Sequence, residues 1–275
     1  MVAPAMPPKP PAPRVHLMTV TPEMAAHWLE NANDDNRFLS EPFVARLARD
    51  IRAGQWRLTH EGIAFDVHGR LIDGQHRLWA VVQAEIPVRM HVWLNVAPES
   101  LMVINIGRPR NLADNLRLSG ACRGVSKNDL ATLRAMLARG GSLSLTPSEA
   151  AAHLERHRDA VVYAGRHLLQ VSGVRGLSTG ETRAVVARAY YSADRQRLEQ
   201  FCQVLRTSVA TGDHDKAAIR LRSYLSTTVG SSQGIRQERY RKMQRALRAF
   251  LRGHALTRLS VGDGELFPLP EESNP

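Results

Sequence analysis

Residues 70–80 read RLIDGQHRLWA. A short apolar pair, Leu71-Ile72, runs into four hydrogen-bonding side chains, Asp73, Gln75, His76 and Arg77, set around one glycine, Gly74. Beyond them Leu78, Val81 and Val82 recur at helical spacing, so the stretch reads as a strand that turns at Gly74 into a helix beginning at Gln75. The polar residues then sit at a helix N-terminus, where the first backbone N–H groups lack intrahelical partners and the macrodipole is positive. An anion is favoured there by about 0.3–1 kcal/mol before any side chain acts. Gly74 lets the anion approach, and His76 and Arg77 add donors, a charge-assisted bond from a guanidinium contributing about 1.5–3 kcal/mol. These features predict a phosphate pocket. A purely structural reading competes with it, in which Asp73 caps the helix and Arg77 pairs with Asp73 or Asp66.

Working outward, GIAFDV (62–67) and RLI (70–72) flank a turn at His68-Gly69 and read as a tight hairpin. EPFVARLARDIRAG (41–54) reads as a helix whose Phe43, Val44, Leu47 and Ile51 face a core and whose Gly54 is the C-terminal stop. Before it, TPEMAAHWLE (21–30) carries Thr21 as cap and Pro22 at the first helical position, and VHLMTV (15–20) is strand-like. VRMHVWLNV (88–96) alternates as a strand, and 98–104 fits either a short helix or a strand. From residue 111 strand patterns almost vanish and capped helices take over, with capping boxes expected at Thr146–Glu149 and Ser178–Glu181. The predicted fold class is therefore α+β over residues 14–110, followed by a basic, mainly α-helical domain over 111–260. Residues 1–13, with six prolines, are expected as a solvated tail, and 261–275 as a C-terminal tail.

The net charge of +11 is unevenly placed: residues 1–110 hold 12 Lys+Arg against 11 Asp+Glu, and residues 111–275 hold 25 against 15. Such an excess draws polyanions, which makes nucleic acid the first partner to consider, although 33 arginines against four lysines also fits a codon bias. No apolar run reaches the roughly 18 residues of a membrane span, and the opening MVAPAMPPKPPAPR lacks a signal-peptide core, so a cytoplasmic protein without membrane partners is expected. Cys122 and Cys202 have no Cys/His neighbours at metal-ligand spacing, which predicts neither a disulfide framework nor a zinc site. In RQERYRKMQRALRAFLRG (236–253), Arg241, Arg245, Arg248 and Arg252 share one helical stripe and Tyr240, Met243, Leu247 and Phe250 another. The apolar stripe is core. The basic one is either a solvated face or a surface that tracks nucleic-acid phosphates. Residues 126–157 could supply two helices of a DNA-reading pair, but the linker between them is longer than the usual turn.

The segment DGQHRLWA, preceded by IAFDVHGRLI, resembles the box of the ParB/sulfiredoxin-like superfamily, and NDDNRFLSEPFVARLARDIRAGQW resembles its upstream element, with Asn36 and Arg37 at the matching positions. The resemblance covers residues 14–110 and implies a ParB/sulfiredoxin-like domain in which Gly74 and Arg77, with Gln75, His76, Asn36 and Arg37, bind the phosphates of ATP or CTP with Mg2+. The wording D-G-Q-H-R is similar to that of proteins linked to DNA modification systems, and superfamily members include small-molecule phosphotransferases. Gln75 occupies the position of the sulfiredoxin cysteine, so sulfinic acid reduction is not implied. The G-E-R-R signature of chromosome-partition proteins is absent.

An enzyme of this kind, an NTPase or phosphotransferase acting on or with DNA, would draw its metal or proton chemistry from Asp73, His76 or Glu61, and Arg108 in NIGRPR could close over the nucleotide. The alternative is a non-catalytic, nucleotide-gated DNA-binding module. Nuclease activity ranks last, since no cluster of metal-binding carboxylates stands out. A second copy of the chain is kept as a partner.

Overall fold

The computed structural model describes residues 11–34, 36–104, 111–118, 125–262 and 264–272. The chain forms two compact units, Met1–Pro109 and Arg110–Pro275. The first is α+β and the second helical.

In the first unit β1 (Arg14–Val20), β2 (Ile63–Asp66), β3 (Leu71–Asp73) and β4 (Val88–Val96) form one mixed sheet in the order β1-β4-β2-β3. β4 is antiparallel to β1, with Val20 opposite Val88, and parallel to β2, with Ile63 opposite Val92. β2 and β3 are the antiparallel hairpin read from the sequence. Its turn is fixed by Asp66, whose buried carboxylate accepts the backbone N–H groups of His68 (2.8 Å) and Arg70 (2.9 Å) and pairs with the Arg70 guanidinium. These bonds to the charged form hold the Asp66 carboxyl below its ordinary range even though burial pushes it the other way. Gly62 lies where a Cβ would fall 2.0 Å from the carbonyl oxygen of His91, so the start of β2 can press against β4 only as glycine.

Three helices complete this unit: α1 (Pro22–Ala32), α2 (Glu41–Arg52) and α3 (Gln75–Ala84). Thr21 caps α1 by accepting the Met24 N–H, and Gly54, at φ +67°, closes α2 with bonds from Gly54 N to Ile51 O and from Gln55 N to Asp50 O. Val20, Ala25, Val44, Ile51, Ile63, Phe65, Leu78, Val81, Met90 and Val92 meet in one core. Phe43, expected in that core, is instead exposed, edge-on to the His76 ring and beneath the Arg46 guanidinium. The 98–104 segment is a 3-10 helix, Pro98–Met102.

The second unit contains α4 (Leu112–Leu118), α5 (Lys127–Leu137), α6 (Pro147–His167), α7 (Gly180–Ala189), α8 (Arg195–Thr207), α9 (Lys216–Thr227) and α10 (Gln233–Leu251). α7 is buried on every side from Glu181 to Ala189, with α5, α6 and α10 packed against it. The Thr146–Glu149 capping box is present, as is one at Ser126–Asp129. The box expected at Ser178–Glu181 is not: α7 starts one residue later, with Thr179 as N-cap, and the Ser178 hydroxyl bonds to Gln170. Cys202 is a free thiol buried in α8, its pKa pushed up to about 12 by burial; Cys122 lies outside the described residues. Among the described residues no helix is long and apolar enough to cross a membrane.

Residues 264–272, expected as part of a tail, belong to the helical core. Phe267 and Leu269 are buried, and the fully buried Arg188 of α7 donates to the carbonyls of Phe267 (2.8 Å) and Met136 (2.7 Å) and pairs with Glu272. Tyr240 Oη donates to Glu265, and the Gln244 side chain accepts the Leu266 N–H. His157, buried on α6, lies between Tyr191 Oη (2.9 Å) and Glu271 (3.1 Å). Composition gives no hint of this docking, because the segment is short and its partners are polar.

Candidate functional site

The strand-to-helix junction forms as read. β3 ends at Asp73, Gly74 takes φ +102°, and α3 begins at Gln75. The glycine is required twice, once for the left-handed backbone and once because a Cβ there would come 3.0 Å from Ile63 Cγ1 and 3.1 Å from Gly62 O. The close approach that excludes a side chain is therefore to the neighbouring strand. The N-cap residue of α3 is Gly74, which has no side chain, and Asp73 stands one position before it. The first turn holds no acidic residue, and the first helical bonds run from Arg77 N and Leu78 N to Gly74 O. The amides of Gln75 and His76 thus precede any helical acceptor.

A cavity of about 260 Å³ opens at this turn, lined by Asn36, Arg37, Ile72, Asp73, Gly74, Gln75, Leu101 and Ile104. The polar residues of the motif divide into those that build the cavity and those that face it. Buried Gln75 donates through Nε2 to the Arg37 carbonyl at 2.7 Å. Asn36 donates to Leu71 O and Asn33 Oδ1, both at 3.0 Å, and its own side-chain oxygen accepts the Arg37 N–H. Together these bonds tie residues 36–37 across to β3 and α3 and hold the Arg37 side chain at the cavity. That side chain is exposed and has no ion-pair partner among the described residues.

His76 has a different place from the one expected of a phosphate donor. Its ring is buried, and Nε2 accepts the Ser40 backbone N–H at 3.0 Å, which requires a neutral imidazole protonated on Nδ1. Burial, and then the Arg37 and Arg77 charges, hold its pKa below the ordinary value. The histidine anchors the start of α2. Arg77 also departs from expectation, since its guanidinium turns toward β2 and does not line the cavity. It donates to Gly62 O at 3.0 Å, pairs with Glu61 and lies 3.7 Å from Asp73 Oδ2. Asp66 is occupied by Arg70, so of the two pairings the structural reading offered for Arg77, only that with Asp73 occurs. Glu61, a candidate for metal or proton chemistry, is exposed beside Arg77 and outside the cavity, which leaves Asp73 as its one lining carboxylate among the described residues. Arg108 lies outside the described residues. Sequence reasoning missed Ile72, Leu101 and Ile104, an apolar wall for which a short 3-10 segment leaves no periodic signal.

On α10 the apolar stripe is core as expected: Tyr240, Met243, Leu247 and Phe250 are all buried. Arg245, Arg248 and Arg252, with His254, line a groove of about 360 Å³ floored by Leu256 and Leu266, whereas Arg241 is exposed outside it. Arg252 follows the last helical residue as its C-cap. No carboxylate lines this groove among the described residues, and none of the four arginines has a carboxylate partner there. The same limit holds for metals: among the described residues no three His, Cys, Asp or Glu side chains gather as a metal site.

No protein-family model matches this chain, and no curated protein and no solved structure matches it.

Proposed function

We propose that the first unit is a ParB/sulfiredoxin-like domain that binds a nucleoside triphosphate, ATP or CTP, in the cavity at the start of α3. The observation that carries this reading is the meeting of Arg37 and the start of α3, through Gly74 and Gln75, on one cavity that Ile72, Leu101 and Ile104 also line. Phosphate oxygens would meet donors from both, and Leu101 and Ile104 offer a surface for the base or sugar. Asn36, Gln75, His76 and Arg77 act as positioning residues that hold the loop, the helix and Asp73 in place.

Magnesium suits such a site in a limited way. The ion is usually held by one or two carboxylates together with substrate phosphates, and Asp73, the one lining carboxylate among the described residues, could share it here. It would neutralise developing charge on a transferred phosphoryl group. With that ion the reading extends to an NTPase or phosphotransferase, and its action on or with DNA in a modification system rests on the D-G-Q-H-R resemblance.

A second reading, a nucleotide-gated DNA-binding module with slow or no turnover, is favoured by the cavity's having one lining carboxylate among the described residues and by the arginine groove of α10. Its phosphate contacts would come from Arg245, Arg248 and Arg252, with Arg241 beside them. Titration calorimetry of ATP, CTP and GTP with magnesium, followed by phosphate-release assays with and without duplex DNA, separates the two. Binding with turnover supports the enzyme, and binding that changes DNA affinity without turnover supports the module. If no nucleotide binds at millimolar concentration, the proposal fails.

A further inference from the structure

The helical unit contains a second basic hollow, of about 360 Å³, at the opposite end of α10 from the arginine groove. Arg175, Arg236 and Arg239 surround it, together with the first residues of α7 and residues 228–231. We infer that this hollow binds a phosphate group, as inorganic phosphate or the phosphomonoester of a small molecule.

Three arginines lining one hollow carry the inference. Arg239 is nine-tenths buried or more, yet its Nε has no hydrogen-bond partner. Its other nitrogens are loosely held: Nη2 donates to Gly230 O at 3.2 Å, and Nη1 is 3.5 Å from Glu181, the outer limit for such a bond. Arg236, one turn earlier, also has a buried Nε without a partner. The long contacts leave the Arg239 charge loosely satisfied by protein atoms, and Arg236 lines the same hollow beside it. Arg175 adds an exposed guanidinium with no carboxylate partner among the described residues.

The backbone points the same way. Thr179 is the N-cap of α7 but makes no side-chain cap, because its hydroxyl turns to Gly176 O and Thr182. Thr179, Gly180 and Glu181, at the positive end of the α7 helix dipole, line the hollow. That end is fixed in place, since Gly180 packs where a Cβ would lie 2.9 Å from Ala131 O. Three guanidinium groups against the one Glu181 carboxylate leave an excess of two positive charges, which matches a phosphate dianion better than a carboxylate or chloride.

The test is phosphate titration of the full chain carrying Arg37→Ala, followed by 31P NMR and calorimetry, so that the first-unit cavity contributes no phosphate contact from Arg37. Saturable binding at millimolar inorganic phosphate is expected. Arg236→Gln should weaken it at least tenfold, and Glu181→Gln should tighten it severalfold by removing the competing carboxylate. Arg175→Gln, a surface change that leaves the fold intact, should weaken it severalfold even if the Arg236 variant does not fold. A nucleoside 5′-monophosphate binding more tightly than phosphate assigns the site to a phosphomonoester, and equal affinity assigns it to the free ion. Absence of saturation, or binding indifferent to both Arg175→Gln and Arg236→Gln, overturns the inference.

Discussion

Replacing Arg37 and Arg77 separately by alanine should separate a ligand-facing arginine from a structural one. Arg37 is exposed at the cavity and has no ion pair among the described residues, and its fold-holding bond, from Gln75 Nε2, goes to its backbone carbonyl. Alanine keeps that carbonyl, so Arg37→Ala should change stability by no more than about 0.5 kcal/mol. Its guanidinium would make a charge-assisted contact to phosphate contributing about 1.5–3 kcal/mol, which corresponds to nucleotide binding roughly 10- to 150-fold weaker.

Arg77 gives the reverse pattern. Its bond to Gly62 O contributes about 0.5–1.5 kcal/mol. Its pair with Glu61, whose side chain is 61% exposed, adds at most about 1 kcal/mol after solvent screening. Arg77→Ala should therefore cost about 0.5–2.5 kcal/mol in urea melts. Any loss of nucleotide affinity should be smaller than for Arg37→Ala and should follow from a displaced Asp73. Calorimetry with ATP and CTP on both variants, alongside the melts, decides the matter. If Arg77→Ala abolishes binding at unchanged stability while Arg37→Ala binds as the parent does, the phosphates sit on Arg77 and the assignment of this cavity is wrong.

Gly74→Ala should lower stability by about 1–3 kcal/mol, because the residue adopts φ +102° and the new methyl would meet Ile63 and Gly62 at 3.0–3.1 Å; an unchanged melting temperature would contradict this. Stability should be greatest above the ordinary imidazole value of 6.5 and fall as the pH drops below it. Burial holds His76 and His157 below that value when folded, so the unfolded chain binds more protons in this window; a flat profile in denaturant melts between about pH 7.5 and 5 would refute it. Arg248→Gln should reduce the magnitude of the log–log salt slope of duplex DNA binding by about 1, read by fluorescence anisotropy, and an unchanged slope would remove Arg248 from the phosphate contacts.

What was legible in the sequence follows from how far each determinant reaches along the chain. The β2–β3 hairpin, the Gly74 junction and the Thr21 and Thr146 caps are set by neighbours within a few residues, and each is found where the pattern put it. Ser178 shows the limit of such reading, since a capping box one residue out of phase looks the same until the helix start is known. Docking of 264–272 depends on Arg188, 79 residues from Phe267, and no local pattern carries that distance.

The motif itself shows why residue type alone misassigns roles. Asp73, Gln75, His76 and Arg77 are all capable of binding phosphate, and their density suggested that they do. A strand end, a helix start and the loop 36–40 must meet within this one turn, however, and each brings backbone groups that need partners when water is excluded. Gln75 satisfies the Arg37 carbonyl, His76 the Ser40 N–H and Arg77 the Gly62 carbonyl. The polar chemistry of DGQHR is thus mostly consumed in closing the fold around the turn. Beside Asp73 and the turn into α3, the cavity is faced by what the motif does not spell: an arginine nearly 40 residues upstream whose placement depends on the Gln75 bond. A Gln75→Ala variant would therefore be expected to release Arg37 from the cavity and reproduce its binding loss while leaving the Arg37 side chain intact, and retention of full nucleotide affinity in that variant would break the link between the motif and the pocket.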